Sequence, residues 1–297
     1  ASVALLPTTI VLASNFTYDT WIISFVFLGT ALLAKIICGS EKVRCIDLLP
    51  ALVSFTMAIV VKPVYVPLVG LLALLDKGRF VDKRQQALYI GGIACAVILL
   101  VASFVVPFVL FGTGGNDMRG GSGVNSGMQV SYILENPIGY GVLLAKFIIG
   151  TYLNPLNSFE YTLQFGYMGS LGDDRFSFLA VLPLFVVIMV SMLDSNRLST
   201  SLCTWKTRFV ALLVFGVCVA LVATSMYVAF TTVGSTSIAG VQGRYLLPII
   251  FPFIAFFFNV KVENNMNEMI FNMLPICFFC FLGFLGCWLF AVSPVVV

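Results

Sequence analysis

At 297 residues, 60% of them hydrophobic and only 10% charged, with a mean hydropathy of +1.05, the chain holds far more apolar surface than a water-soluble domain can bury. That excludes a soluble globular protein and defines an all-α integral membrane protein, one polytopic domain over residues 1–297. The net charge of +3 says little, but the lack of any histidine removes the usual ligand of zinc and haem and the usual proton shuttle. Nucleic acid is not expected among the partners.

The chain opens at Ala1 inside an apolar run without the charged region that begins a signal peptide, and it reads as the C-terminal piece of a longer membrane protein. Residues 1–13 are the tail of an apolar segment. The polar turn Ser14 to Asp19 follows, and Asp19 can cap or begin the next helix, residues 20–38. Loops 39–46, with Lys42 and Arg44, and 76–86, with Lys77, Arg79, Lys83 and Arg84, face the cytoplasm by the positive-inside rule. Between them, apolar residues 47–75 are broken at Lys62 Pro63. If both ends are on one side, this stretch must enter the bilayer and return; the alternative is one long kinked helix. Each arm has about 12–15 residues, or roughly 18–22 Å of helix against a hydrocarbon core of about 30 Å. The tip with Lys62 and Tyr65 therefore stays at membrane depth or near the outer interface, where a lysine needs a cavity or an anion.

A long helix, residues 87–111, leads to a large extracytoplasmic loop, residues 112–175. Its glycine-rich start, 112–127, lacks the strand and helix of a phosphate loop and reads as a mobile loop. Residues 137–153, apolar apart from Lys146, read as an interfacial or re-entrant helix across the outer face. Residues 176–193 return inward, and residues 194–208, with Arg197, Lys206 and Arg208, are cytoplasmic. Residues 209–230 go out, and loop 231–242 leads into a helix ending near Asn259. Loop 260–268, with Lys261, is inside, and the last helix covers 269–291. The path has about eight to nine transmembrane or re-entrant helices besides the interfacial one. Ten of the sixteen Lys and Arg lie in the inner loops and Lys35 at an inner helix end, which leaves Lys62, Arg119, Lys146, Arg175 and Arg244. The eight cysteines fall in apolar segments or cytoplasmic loops, where thiols stay reduced, so no disulfide framework is expected. Cys277 and Cys280 read as small buried residues of a Phe-rich helix rather than as a redox pair.

The most informative stretch is Gly240 Val241 Gln242 Gly243 Arg244 Tyr245 Leu246 Leu247 Pro248. Arg244 stands at the outward N-terminus of an apolar helix, where its guanidinium and the positive helix end offer a pocket to an anion, most simply a phosphate. Pro248 cannot donate to the carbonyl of Arg244, and Pro252 leaves that of Pro248 unpaired, so exposed polar backbone is expected at the same mouth. The bland alternative is an interfacial arginine snorkelling to headgroups.

With Lys62 Pro63 Val64 Tyr65 Val66 Pro67, Gly78 Arg79 Phe80, residues 169–173 and residues 240–248 in place, nearly the whole chain resembles the bacterial membrane proteins grouped as domain of unknown function 2142. Members carry a lysine, proline, tyrosine cluster, a loop ending in Gly, Trp, Leu, Asp, and a late Gly, Val, Gln, Gly, Arg, Tyr signature. Here the chain passes from Gly172 directly to Asp173 and Asp174. The family is grouped with the glycosyltransferase-C-like superfamily, which implies a multi-pass enzyme of the bacterial cytoplasmic membrane. Such an enzyme moves a sugar from a polyprenyl-phosphate donor to a cell-surface glycan or lipid acceptor on the outer face. The acidic residue that the superfamily carries in its first outer loop has no counterpart in this chain.

On this reading Arg244 and Lys62 neutralise the phosphate leaving group, and Gln242 and Tyr245 position the sugar or phosphate, with Tyr65 and Arg175 in the same binding set. Asp19 is the leading carboxylate for acceptor activation or metal binding, with Asp173 and Asp174 behind it. For each of these three a plain helix cap is the competing role. No cofactor is certain, and a divalent metal ion stays open. The reading from a different class is a transporter or flippase of lipid-linked or anionic sugars, and a third is a non-catalytic scaffold.

Overall fold

The computed structural model of the chain describes residues 2–15, 17–111, 121, 123–157, 162–164, 177–193, 204–258 and 264–292. Among them the regular secondary structure is helical, with isolated β-bridge residues and no strand. The α-helices are α1 Pro7–Ser14, α2 Tyr18–Cys38, α3 Cys45–Val61, α4 Lys83–Phe111, α5 Ser126–Glu135, α6 Pro137–Phe147, α7 Ser177–Leu193, α8 Trp205–Ala229, α9 Leu247–Phe257 and α10 Glu268–Val292. Among the described residues three stretches, Tyr18–Cys38, Trp205–Ala229 and Glu268–Leu289, are long and apolar enough to cross a bilayer. A fourth candidate is the pair Ser126–Glu135 and Pro137–Tyr152, bent by 107° at Asn136. The bend has a local cause: Asn136 is extended at φ −135°, and its side chain accepts the Gly139 N–H to start α6, whose first residue is Pro137. The residue range expected to lie across the outer face is thus the second arm of a sharply bent pair.

The core is built from α2, α3, the segment after α3, α8 and α9. Helices α2 and α3 are antiparallel neighbours. Gly29 lets them approach closely, since a Cβ there would stand 3.1 Å from the Phe55 ring. The Trp21 indole N–H donates to the Met57 carbonyl at 3.0 Å and holds the register. After α3 the chain turns at Lys62 and continues as a 3-10 helix, Pro63–Leu74. With three residues per turn, every third side chain falls in one row; the row Tyr65, Leu68, Leu71, Leu74 is buried throughout, and Val69 and Leu72 of the neighbouring row are buried beside it. At 17 and 12 residues the two arms span about 26 Å and about 24 Å.

The two ends of this hairpin meet, as an in-and-back path requires. Val43 donates its N–H to the Arg79 carbonyl at 2.8 Å and accepts from Val81 at 3.2 Å, forming the bridge Val43 to Phe80. Arg79 adds a second lock. Its guanidinium donates to the carbonyls of Ile36 and Ile37 at 3.2 Å and to that of Glu41 at 2.7 Å from Nη2, so it caps the C-terminal end of α2. The two loops that the charge pattern places on one side of the membrane are thereby joined.

Outward apolar side chains occur on most of the long helices among the described residues, most densely on α10, as Met269, Phe284 and Trp288 there and Ile98 and Leu99 of α4 show, and lipid contact demands such a surface. Cys277 and Cys280 belong to that outward surface of α10. They are therefore exposed from the protein and not the buried fillers expected from their Phe-rich surroundings. Most of the glycine-rich run 112–127 lies outside the described residues.

Removing the Arg79 cap strips donors from three carbonyls at the point where α2 and the hairpin join. Arg79→Ala is expected to destabilise the protein by about 1–3 kcal/mol. Thermal unfolding in detergent should show a lowered midpoint for Arg79→Ala and a smaller loss for Arg79→Lys, which keeps a charge but not the planar fork.

Candidate functional site

Three chain crossings bring the site together. Because α2 and α3 are antiparallel, the beginning of α2 lies beside the end of α3, so Asp19 comes next to Lys62. Helix α9 runs parallel to α2: Arg244 precedes Phe251 by about two turns, much as Asp19 precedes Phe27, and the Phe27 and Phe251 rings touch at 4.5 Å between centroids. Asp19, Lys62 and Arg244 thus lie at one end of the helix group, within electrostatic reach of one another.

Asp19 sits in the first turn of α2 and is 4% exposed. Its Oδ2 lies 3.3 Å from Arg244 Nε, with the Arg244 side chain 31% exposed. The approach lacks the alignment of a hydrogen bond, so it is a charge contact. Lys62 closes α3. Its Nζ is buried without a hydrogen-bond partner and stands 3.1 Å above the centroid of the Tyr245 ring, with the Tyr18 ring at 5.8 Å. Tyr65, 1% exposed, donates its hydroxyl to the Tyr245 carbonyl at 2.8 Å and ties the hairpin tip to the start of α9.

Arg244 lies in a short 3-10 turn, Gly243–Leu246, ahead of α9. This corrects an expectation. The carbonyl of Arg244, which Pro248 cannot serve, accepts the Leu247 N–H instead, because a 3-10 turn pairs residues three apart. Gly240 turns the chain into this segment at φ 77°, with the Phe230 ring occupying the space a Cβ would need.

Two cations and one anion leave the cluster with one uncompensated positive charge when all three are ionised. An ammonium stripped of water and held on a ring face lacks the acceptors that its three N–H groups require, and an anionic oxygen would supply them. The residues singled out in the sequence fall into three groups. Asp19, Lys62, Tyr65, Arg244 and Tyr245 converge. Gln242 is exposed at the start of the 3-10 turn, and its backbone carbonyl accepts the Tyr245 N–H at 3.1 Å. Lys146 is exposed on α6, apart from the cluster. Asp173, Asp174, Arg175 and Arg119 lie outside the described residues. Asp19 stands against Arg244, and Tyr245 turns its ring to Lys62 and its carbonyl to Tyr65. Tyr18 was missed, although it directly precedes Asp19 in the polar turn. Among the described residues no group of three His, Cys, Asp or Glu gathers as a metal-binding set.

These features define an all-helical membrane protein with a charged cluster buried at the convergence of three segments. The family model described as predicted membrane protein, domain of unknown function 2142, matches residues 1–252, and the chain belongs to that family. No curated protein and no solved structure matches it.

A buried pair broken on one side leaves a charge without compensation. Asp19→Ala is expected to cost about 2–3 kcal/mol, less than the 3–5 of a fully buried pair because Arg244 is partly exposed. The double variant Asp19→Leu with Arg244→Leu should recover part of that loss in detergent unfolding. Strictly additive losses would show that the two charges do not interact.

Proposed function

We propose that the cluster grips the phosphate of a polyprenyl-phosphate sugar and that the protein is a glycosyltransferase-C-like enzyme transferring that sugar to a glycan or lipid acceptor. The buried, unpartnered ammonium of Lys62 carries this reading. In the proposed step the acceptor hydroxyl oxygen bonds to the anomeric carbon on the face opposite the phosphate, and the carbon–oxygen bond to the phosphate breaks. The electron pair stays on the leaving phosphate beside Lys62 and Arg244, while the acceptor's proton passes to the Asp19 carboxylate. If Asp173, Asp174 or Arg175 takes part, it does so from the loop before α7.

The side of the membrane follows from charge. With the Lys and Arg of loops 39–46 and 76–86 in the cytoplasm, the Asp19 end of α2 and the Lys62 tip face outward. The multi-pass path of eight to nine spans or re-entrant helices in a bacterial cytoplasmic membrane belongs to this proposal. The Pro-broken hairpin also fits a transporter of lipid-linked sugars, whose site would sit at such a break.

Full-length protein in liposomes containing a radiolabelled polyprenyl-phosphate sugar and an acceptor should release polyprenyl phosphate. Lys62→Gln and Arg244→Ala should each slow that release by about a hundredfold. Movement of intact donor between leaflets without release would support the transporter. Unchanged surface glycan in cells carrying Arg244→Ala would leave a scaffold.

A further inference from the structure

The charges of Asp19 and Arg244 cancel at 3.3 Å, so their pair is complete before Lys62 is counted. Lys62 stands in the turn that ends α3, outside the stretches long enough to cross the bilayer, and its Nζ is buried without a hydrogen-bond partner. Two other segments face it. Helix α2 brings the Tyr18 ring at 5.8 Å and the Asp19 carboxylate, and the 3-10 turn before α9 brings the Arg244 guanidinium and the Tyr245 ring at 3.1 Å. In its own segment, Tyr65 has committed its hydroxyl to the Tyr245 carbonyl. A third charge held here has ring faces beside it but no oxygen that accepts its N–H groups. Of the three residues only one can relieve that cost alone. A guanidinium keeps its proton at any ordinary pH, and neutralising Asp19 would leave two cations together. Losing a proton from Lys62 leaves the balanced pair intact. Burial pulls the Lys62 amine down to about 7, with Asp19 acting against that fall and Arg244 adding to it. An anion beside Nζ supplies both a counter-charge and the missing acceptors, so the amine then keeps its proton to higher pH.

We propose that Lys62 is held as a neutral amine in the absence of ligand and takes up one proton when the donor's phosphodiester enters, so that anion binding and protonation are one linked event. The inference rests on the headgroup reading given above and adds a proton to it. Linkage fixes the sign. A group that holds its proton more tightly in the bound state contributes affinity that is full below its free pKa and is lost as pH rises toward its bound value. Above about pH 8 the free amine is mostly neutral, so each ligand must draw a proton from the buffer, and affinity falls by up to about tenfold per pH unit. An arginine at position 62 would stay charged throughout and could not respond in this way.

The test is calorimetric titration of the full-length protein, in nanodiscs of uncharged lipid, with a short-chain isoprenyl phosphoryl hexose. Its phosphodiester keeps a single negative charge over the range used. Two buffers of unlike ionisation enthalpy, neither of them a phosphate, report the protons taken up. At about pH 8 the wild type is expected to take up close to one proton per ligand bound, and its Kd to rise roughly five- to tenfold between about pH 8 and 9. Lys62→Arg should bind with no proton uptake and with a Kd that does not change over that range. Wild type that binds without proton uptake would overturn the linkage and leave the headgroup site standing. Uptake that persists in Lys62→Arg would put the proton on another group and overturn the assignment to Lys62. Wild type that fails to bind at every pH would overturn the headgroup reading and this inference with it. Both wild-type readouts decide the linkage even where Lys62→Arg does not fold.

Discussion

Asp19 and Arg244 meet where neither charge could stand alone. A carboxylate that is 4% exposed in a chain this apolar needs a counter-charge, and the arginine ahead of α9 provides it at 3.3 Å. The contact fixes the start of α2 against the start of α9, and the Phe27 and Phe251 rings continue the alignment further along. Once those two helices are parallel and α3 is antiparallel to α2, the hairpin tip can only come to the same place. Lys62 then stands beside a pair already balanced, and with its ammonium charged the cluster would carry one positive charge more than that pair, which is the basis of the anion-binding proposal.

The hairpin supplies the rest. Its break at Lys62 Pro63 turns an α-helical arm into a 3-10 arm, and the change of period from 3.6 to 3 sorts the side chains into clean rows. The row that carries Tyr65, whose hydroxyl donates to the Tyr245 carbonyl, packs on the core together with Val69 and Leu72. The far ends are held by the Val43 to Phe80 bridge and by Arg79, so the tip is positioned by fastenings at both of its roots and not by its own short length. Residues 78–80, which resemble a family motif, therefore serve the site from a distance.

Much of this was legible in the residues. Apolar runs gave the helices, and the basic loops paired the two hairpin ends. A lysine and an arginine left over from the basic loops pointed to the place where the chain converges. What could not be read is contact between residues far apart in the chain. Nothing local in the turn before α2 says that Asp19 faces Arg244, so a helix cap and a carboxylate for acceptor activation or metal binding both stayed open. The 3-10 segments were hidden for another reason: prolines at 63, 67 and 248 announce a disturbed helix but do not say which hydrogen-bond spacing replaces it. For that reason the Arg244 carbonyl was expected to lack a partner when Leu247 in fact supplies one. The outward position of Cys277 and Cys280 was obscured because an apolar helix reads the same whether its neighbour is protein or lipid.

The account stands on a water-reachable cation cluster that awaits an anion, and thiol accessibility tests this most directly. In a background with the eight native cysteines replaced, Lys62→Cys and Arg244→Cys would be treated in intact cells or sealed vesicles with a membrane-impermeant reagent from the outer side. The account predicts that both positions react and that added polyprenyl phosphate shields both. Two positions that stay unreactive, or that react equally fast with and without the lipid phosphate, would contradict it.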